Sequence, residues 1–130
     1  MNYLCDIIIS MTERELVKKF VNKADFTEQG IDEFLSTFNI SKFKLVELLL
    51  EELFNVSGRL ERINLKTSVY FSKLIKAVTI LVNSCIFTPA ESLKIKFKIK
   101  NIREKLLSNY NDIYIREANI LDELVVDKNS

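Results

Sequence analysis

Residues 88–110 decide the fold of this chain, and they read TPAESLKIKFKIKNIREKLLSNY. Thr88 can accept hydrogen bonds from the first free N–H groups of a helix, and Pro89 suits the first helical position. Glu91 stands three residues after the threonine, where its carboxylate can reach back to the N–H of the cap. This combination predicts that a helix begins directly after Thr88.

Within this stretch, residues 93–100 alternate strictly between apolar and basic side chains, which is also the period of a β-strand. A helical period of 100° per residue instead places a longer series of side chains within an arc of about 80°: Ile95, Ile99, Ile102, Leu106 and Tyr110. The helical stripe extends beyond the alternation and follows a capping box. We therefore predict a helix over 88–110, with a strand over 93–100 as the alternative.

Capping residues and helical apolar periods also predict helices elsewhere in the chain. Thr12, Thr27 and Ser41 each precede an apolar-periodic run. The predicted helices cover 13–22, 28–37, the segment from Ser41 to Phe54, 68–86 and 112–125, and 59–66 is an ambiguous short helical turn. Residues 68–86 have the most regular period, so we expect that helix at the centre of the bundle.

Length and composition are those of one globular domain, because 130 residues contain 48% hydrophobic and 28% charged side chains. We predict the all-α class, as a compact bundle of five to six helices. The single domain spans 1–130, with 1–10 as a candidate N-terminal appendage and 126–130 as a frayed tail. Apolar side chains within the helical stripes are expected to be buried: Phe34, Leu35, Leu49, Phe71, Leu74, Val78, Leu81 and Ile99.

Residue types that carry catalysis are scarce. The chain has no histidine, two cysteines and two glycines, which excludes a Ser-His-Asp triad, a Cys₄ zinc site and a glycine-rich phosphate loop. Carboxylates remain, among them Glu47, Glu51 and Glu52, and on an amphipathic helix such side chains usually form the solvated face. We expect no enzymatic activity, no metal site and no cofactor.

Charge is distributed unevenly along a chain of net charge +1. Lys/Arg and Asp/Glu number six and ten in residues 1–55, eleven and three in 56–109, and two and five in 110–130. A strongly basic middle therefore lies between acidic ends. The corresponding functional hypothesis is a surface, drawn from 59–105, that binds nucleic acid or an acidic protein. Under the alternative interpretation, the lysines are a solvated face that pairs with the acidic helices of the same chain.

Residues 93–105 contain the candidate partner- or anion-binding site. On a helix, Leu93 and Phe97 lie nearly opposite the Ile95 stripe, and basic side chains border that stripe on both sides. The basic members are Lys94, Lys98 and Lys105 on one side and Lys96, Lys100 and Arg103 on the other. A second apolar ridge is either covered by other helices of the chain or presented to a partner, and we expect at least part of the Leu93–Phe97 ridge to be accessible.

The expected function is that of a non-enzymatic interaction protein, an adaptor or a subunit of a larger assembly. A nucleic-acid-associated protein that uses the basic region is the alternative, and the pattern is also compatible with an oligomer.

The longest apolar stretch, 69–87, contains Lys73 and Lys76 and is too short to span a bilayer. With two distant cysteines and no secretory signal, we expect an intracellular protein of the cytoplasm or nucleus. Abundant Asn, Ile and Lys suggest an AT-rich genome, such as that of a virus or parasite.

Overall fold

A computed structural model gives the fold of residues 12–22, 26–60, 65–110 and 113–124. The helices are α1 (Glu13–Val21), α2 (Glu28–Phe38), α3 (Lys42–Ser57), α4 (Leu65–Ser84), α5 (Pro89–Tyr110) and α6 (Ile115–Asp122). The described residues contain no strand, so the predicted all-α class is confirmed. The candidate appendage at 1–10 and the tail at 126–130 lie outside the described residues.

The capping residues identified in the sequence begin the helices as predicted. Thr12, Thr27 and Ser41 each accept a hydrogen bond from the backbone N–H three residues later, at 3.1 Å in every case. At the start of α5 the box is reciprocal. The Glu91 N–H donates to Thr88 Oγ1 at 3.2 Å, and the Thr88 N–H donates to Glu91 Oε1 at 2.9 Å. Local hydrogen bonding therefore fixes the start of four helices.

Residues 93–100 are helical, and the strand alternative is wrong. Ile95, Ile99, Ile102 and Leu106 are all buried on one side of α5. The alternating lysines consequently diverge around the helix and do not line one face together.

Replacing Thr88 with alanine is expected to lower the free energy of unfolding by about 1 kcal/mol, because the Glu91 N–H loses its acceptor. Thr88→Ser is the control, since it keeps the hydroxyl and should retain most of the stability. Chemical denaturation followed by circular dichroism measures both variants. Equal stabilities for the alanine and serine variants would show that the cap does not stabilise α5.

The predicted bounds of two helices were inaccurate at both ends. Helix α4 spans Leu65–Ser84 and so begins and ends earlier than the predicted 68–86. Helix α6 covers only Ile115–Asp122 of the predicted 112–125. Its first flanking residue, Tyr114, makes no side-chain cap and packs edge-on against Phe71, with ring centroids 5.7 Å apart.

The core is built around two helices, α3 and α4. Helix α3 packs against α1, α4 and α5, and α4 also packs against α1 and α6. All the predicted core side chains are buried: Phe34, Leu35, Leu49, Phe71, Leu74, Val78, Leu81 and Ile99. The helix predicted over 68–86 is central as expected, and α3, whose apolar arc is wide, shares that position.

Helix α5 lies between α3 on one side and α6 on the other. The position of α5 at the surface of the bundle leaves one of its faces uncovered.

No helix of the described part combines the length and the apolar character that a membrane crossing requires.

Candidate interaction surface on helix α5

The uncovered side of α5, here called the outer face, consists of Ala90, Leu93, Phe97, Lys100 and Glu104. These positions are spaced three and four residues apart, so they form one stripe along the helix. All of them are exposed. Leu93 is 69% exposed and Phe97 is 64% exposed, so the predicted accessibility of these two side chains is confirmed.

The flank of α5 that faces α3 carries Lys94 and Lys98. Lys94 Nζ lies 5.9 Å from the centroid of the Phe43 ring, which is within the range of a cation–π contact. Lys98 Nζ lies 3.6 Å from Glu51 Oε1. The two helices border a groove of about 350 Å³, lined by Leu50, Glu51, Phe54, Asn55, Lys98 and Asn101.

Lys105 has a structural role on the same flank. Its Nζ donates a hydrogen bond to the Phe54 carbonyl at 2.9 Å and lies 3.8 Å from the centroid of the Phe54 ring. A cation at this position satisfies a carbonyl near the C-terminal end of α3 and complements the helix dipole. Lys105 therefore ties α5 to α3, and its side chain is turned away from the outer face.

The flank that faces α6 carries Arg103, whose Nε lies 2.6 Å from Asp122 Oδ2. Lys96, on this flank, and Lys100, on the outer face, are both exposed. Of the predicted basic set, Lys98 and Arg103 thus pair with acidic side chains of neighbouring helices. This agrees, for these two residues, with the interpretation that the basic middle balances the acidic ends of the chain.

The cations nearest the Leu93–Phe97 ridge are Lys94, Lys96 and Lys100. Lys94 and Lys96 flank the ridge, and Lys100 follows it by one turn. The site predicted from sequence is therefore divided by the structure. Its apolar pair and Lys100 belong to the outer face, and Lys94 and Lys96 border it. Lys98, Arg103 and Lys105 connect α5 to the rest of the bundle.

A buried polar cluster on the other side of α3 was missed by the sequence analysis. Glu52 is only 5% exposed, so its assignment to a solvated face was wrong. Its Oε2 accepts hydrogen bonds from Tyr70 Oη at 2.8 Å and from Arg14 Nε at 3.1 Å. The available signal was the spacing of Leu45, Leu49 and Glu52, which places the glutamate on the buried stripe.

The Glu52 cluster joins α1, α3 and α4. The pKa of Tyr70 is raised well above its ordinary value, first because the phenol is partly buried and second because it donates to the Glu52 carboxylate. The neutral phenol is thus favoured in the folded protein. Its contribution to stability is present below about pH 10, where the unfolded tyrosine is also neutral, and is lost as the pH rises above that value.

A small groove of about 170 Å³ adjoins the cluster and is lined in part by Glu13, Arg14, Glu51 and Glu52. Among the residues that the structure describes, no three acidic or cysteine side chains converge as they would around a metal ion. Arg14 holds the one buried carboxylate of this region. The cluster links three helices through two hydrogen bonds.

Comparison of the chain with protein-family models, with curated protein sequences and with solved structures finds no significant match.

Proposed function

We propose that this is a non-enzymatic interaction protein, an adaptor or a subunit of a larger assembly, and that it binds its partner through the outer face of α5. The observation that carries the proposal is the exposure of Leu93 and Phe97, at 69% and 64%, on a helix whose opposite side is fully buried. Neighbouring exposed apolar side chains on one face are typical of a binding surface.

The energetics of the ridge support a role in binding. Burial of a leucine or phenylalanine side chain stabilises the state that buries it by about 1.5–3 kcal/mol. Leu93 and Phe97 stay mostly exposed in the folded chain, so folding gains little of this free energy. An interface that covers both side chains would gain this free energy on binding. Phe97, as a rigid aromatic side chain near the middle of α5, is the natural anchor.

The charges around the ridge indicate the chemistry of the partner. Lys94 and Lys96 flank Leu93 and Phe97, and Lys100 follows them by one turn, so the partner presents apolar side chains with at least one carboxylate beside them. Nucleic acid fits less well, because Lys98 and Arg103 already pair with Glu51 and Asp122. The free thiol of Cys85 is buried in the core, and we place the protein in a reducing, intracellular compartment.

Affinity capture from the cells that express the protein tests this function. The full chain is compared with Phe97→Ala and with Val69→Ala, a control that shortens an exposed apolar side chain on α4. We expect protein partners that survive nuclease treatment, are lost with Phe97→Ala and are retained with Val69→Ala.

Two results would contradict the proposal. Capture that disappears on nuclease treatment and weakens steeply as salt is raised would favour nucleic-acid binding through the phosphate backbone. Capture that is identical for the wild type and Phe97→Ala would place the interface elsewhere.

A further inference from the structure

Two charges on the outer face, Lys100 and Glu104, lack a partner in the described part of the chain. Neither makes an ion pair or side-chain hydrogen bond with a described residue. They stand four residues apart on the same stripe, with the lysine on the N-terminal side. This order of charges is the less favourable one for pairing within a helix. They contrast with Lys98, Arg103 and Lys105, which are all engaged with neighbouring helices.

We propose that the outer face of α5 binds the outer face of a second copy of this chain, with the two helices antiparallel. The inference rests on the proposed function, in that it takes the same face as the binding surface and identifies its occupant. A two-fold axis near residue 102 places Lys100 of each copy opposite Glu104 of the other, so one arrangement satisfies all four charges.

The same arrangement covers the apolar ridge. At a rise of about 1.5 Å per residue, Phe97 lies about 7.5 Å from the axis, level with Leu107 of the second copy. Leu93 lies about 13.5 Å from the axis, near the end of the other α5. Ile113, which follows that end, is 72% exposed. Phe97 therefore meets Leu107, which is partly buried in its own chain, while Lys100 meets Glu104.

A parallel arrangement is disfavoured by the same charges. Two parallel helices in register would place Lys100 against Lys100 and Glu104 against Glu104, and like charges in direct contact are repulsive. The outer face is thus self-complementary only when the helices run in opposite directions. A single pair of helices buries less area than a standard interface, so we expect dissociation in the micromolar range.

Sedimentation equilibrium of the full chain between about 1 and 300 μM tests the proposal, since this range brackets micromolar dissociation. The wild type should change from monomer to dimer across this range. Lys100→Glu and Glu104→Lys should each raise the dissociation constant by about tenfold or more, because each replaces two attractive pairs with two repulsive ones. Lys76→Glu, the same charge change on an exposed residue of α4, should leave the constant unchanged.

Mixing the two charge variants gives the decisive measurement. The Lys100→Glu chain carries a carboxylate at both positions of the pair, and the Glu104→Lys chain carries an ammonium group at both. If the helices are antiparallel, the two carboxylates of one chain face the two ammonium groups of the other, and a heterodimer of nearly wild-type affinity should form in an equimolar mixture. Circular dichroism establishes that each variant is folded.

The second copy is not the partner if the wild type remains monomeric over the whole concentration range. The same conclusion follows if the mixture of the two charge variants does not recover the affinity of the wild-type dimer. A monomeric wild type that still loses its captured partner with Phe97→Ala would leave the proposed function standing with a different protein on the outer face. Failure of the dimer and failure of the function are thereby distinguished.

Discussion

Leu81→Ala is expected to lower the free energy of unfolding by about 2–5 kcal/mol, the largest effect of any single change considered for this chain. Leu81 is completely buried on α4, which is one of the two central helices. Shortening it removes apolar contacts and leaves a cavity that the surrounding close-packed core cannot fully fill. Urea denaturation followed by circular dichroism measures the change.

Leu93→Ala is the matched control, because it makes the same chemical change at a leucine that is mostly exposed. Its expected effect on stability is within about 0.5 kcal/mol. A loss below about 1 kcal/mol for Leu81→Ala would show that α4 is not central to the bundle.

Glu52→Ala is expected to lower the free energy of unfolding by about 2–3 kcal/mol. The substitution leaves the Tyr70 hydroxyl without its acceptor at a partly buried position and removes the ion pair with Arg14. An unsatisfied buried polar group costs about 1–3 kcal/mol, and the lost side-chain packing adds to this. Arg14 is half exposed and can be solvated again, which limits the loss.

Glu51→Ala provides the control for Glu52, since it is the adjacent carboxylate and pairs with Lys98 at the surface. Its expected effect is at most about 1 kcal/mol. Adding Tyr70→Phe gives a double-mutant cycle, in which Glu52 and Tyr70 should couple by about 1.5–3 kcal/mol, as hydrogen bonds to charged groups do. Additive effects of the two substitutions would mean that their hydrogen bond does not stabilise the fold.

Much of the fold could be predicted because its signals are local. A threonine or serine before an apolar-periodic run favours a helix start through local hydrogen bonds, as at Thr12, Thr27, Ser41 and Thr88. The start of α6 could not be read in this way. No side-chain cap marks it, and Tyr114 there contacts Phe71, a residue far away in the sequence.

The candidate site was only partly predictable, because its exposure follows from local periodicity whereas the contacts of its charges depend on other helices. Helical periodicity alone placed Leu93 and Phe97 opposite the buried stripe, and their exposure followed. The partners of the lysines depend on which helices flank α5. The sequence placed Lys100 and Lys105 on opposite sides of the Ile95 stripe, but it could not show that Lys105 binds the Phe54 carbonyl.

Glu52 shows a different limit of sequence reasoning. Residue type favoured solvent exposure, whereas its position on the stripe of α3 favoured burial. Glu52 is buried, because Arg14 and Tyr70, from two other helices, supply hydrogen-bond donors to its carboxylate. A buried carboxylate is tolerated only with such partners, and these become visible once the helices are assembled.

The central claim is that the outer face of α5 serves binding and not folding, and the free energy of unfolding of Phe97→Ala tests it most directly. Measured by chemical denaturation at a concentration where the chain is monomeric, this variant should differ from the wild type by less than about 0.5 kcal/mol, while losing the partner that the wild type binds. A loss of about 3 kcal/mol or more, the cost typical of truncating a core phenylalanine, would show that Phe97 belongs to the core and would contradict the claim.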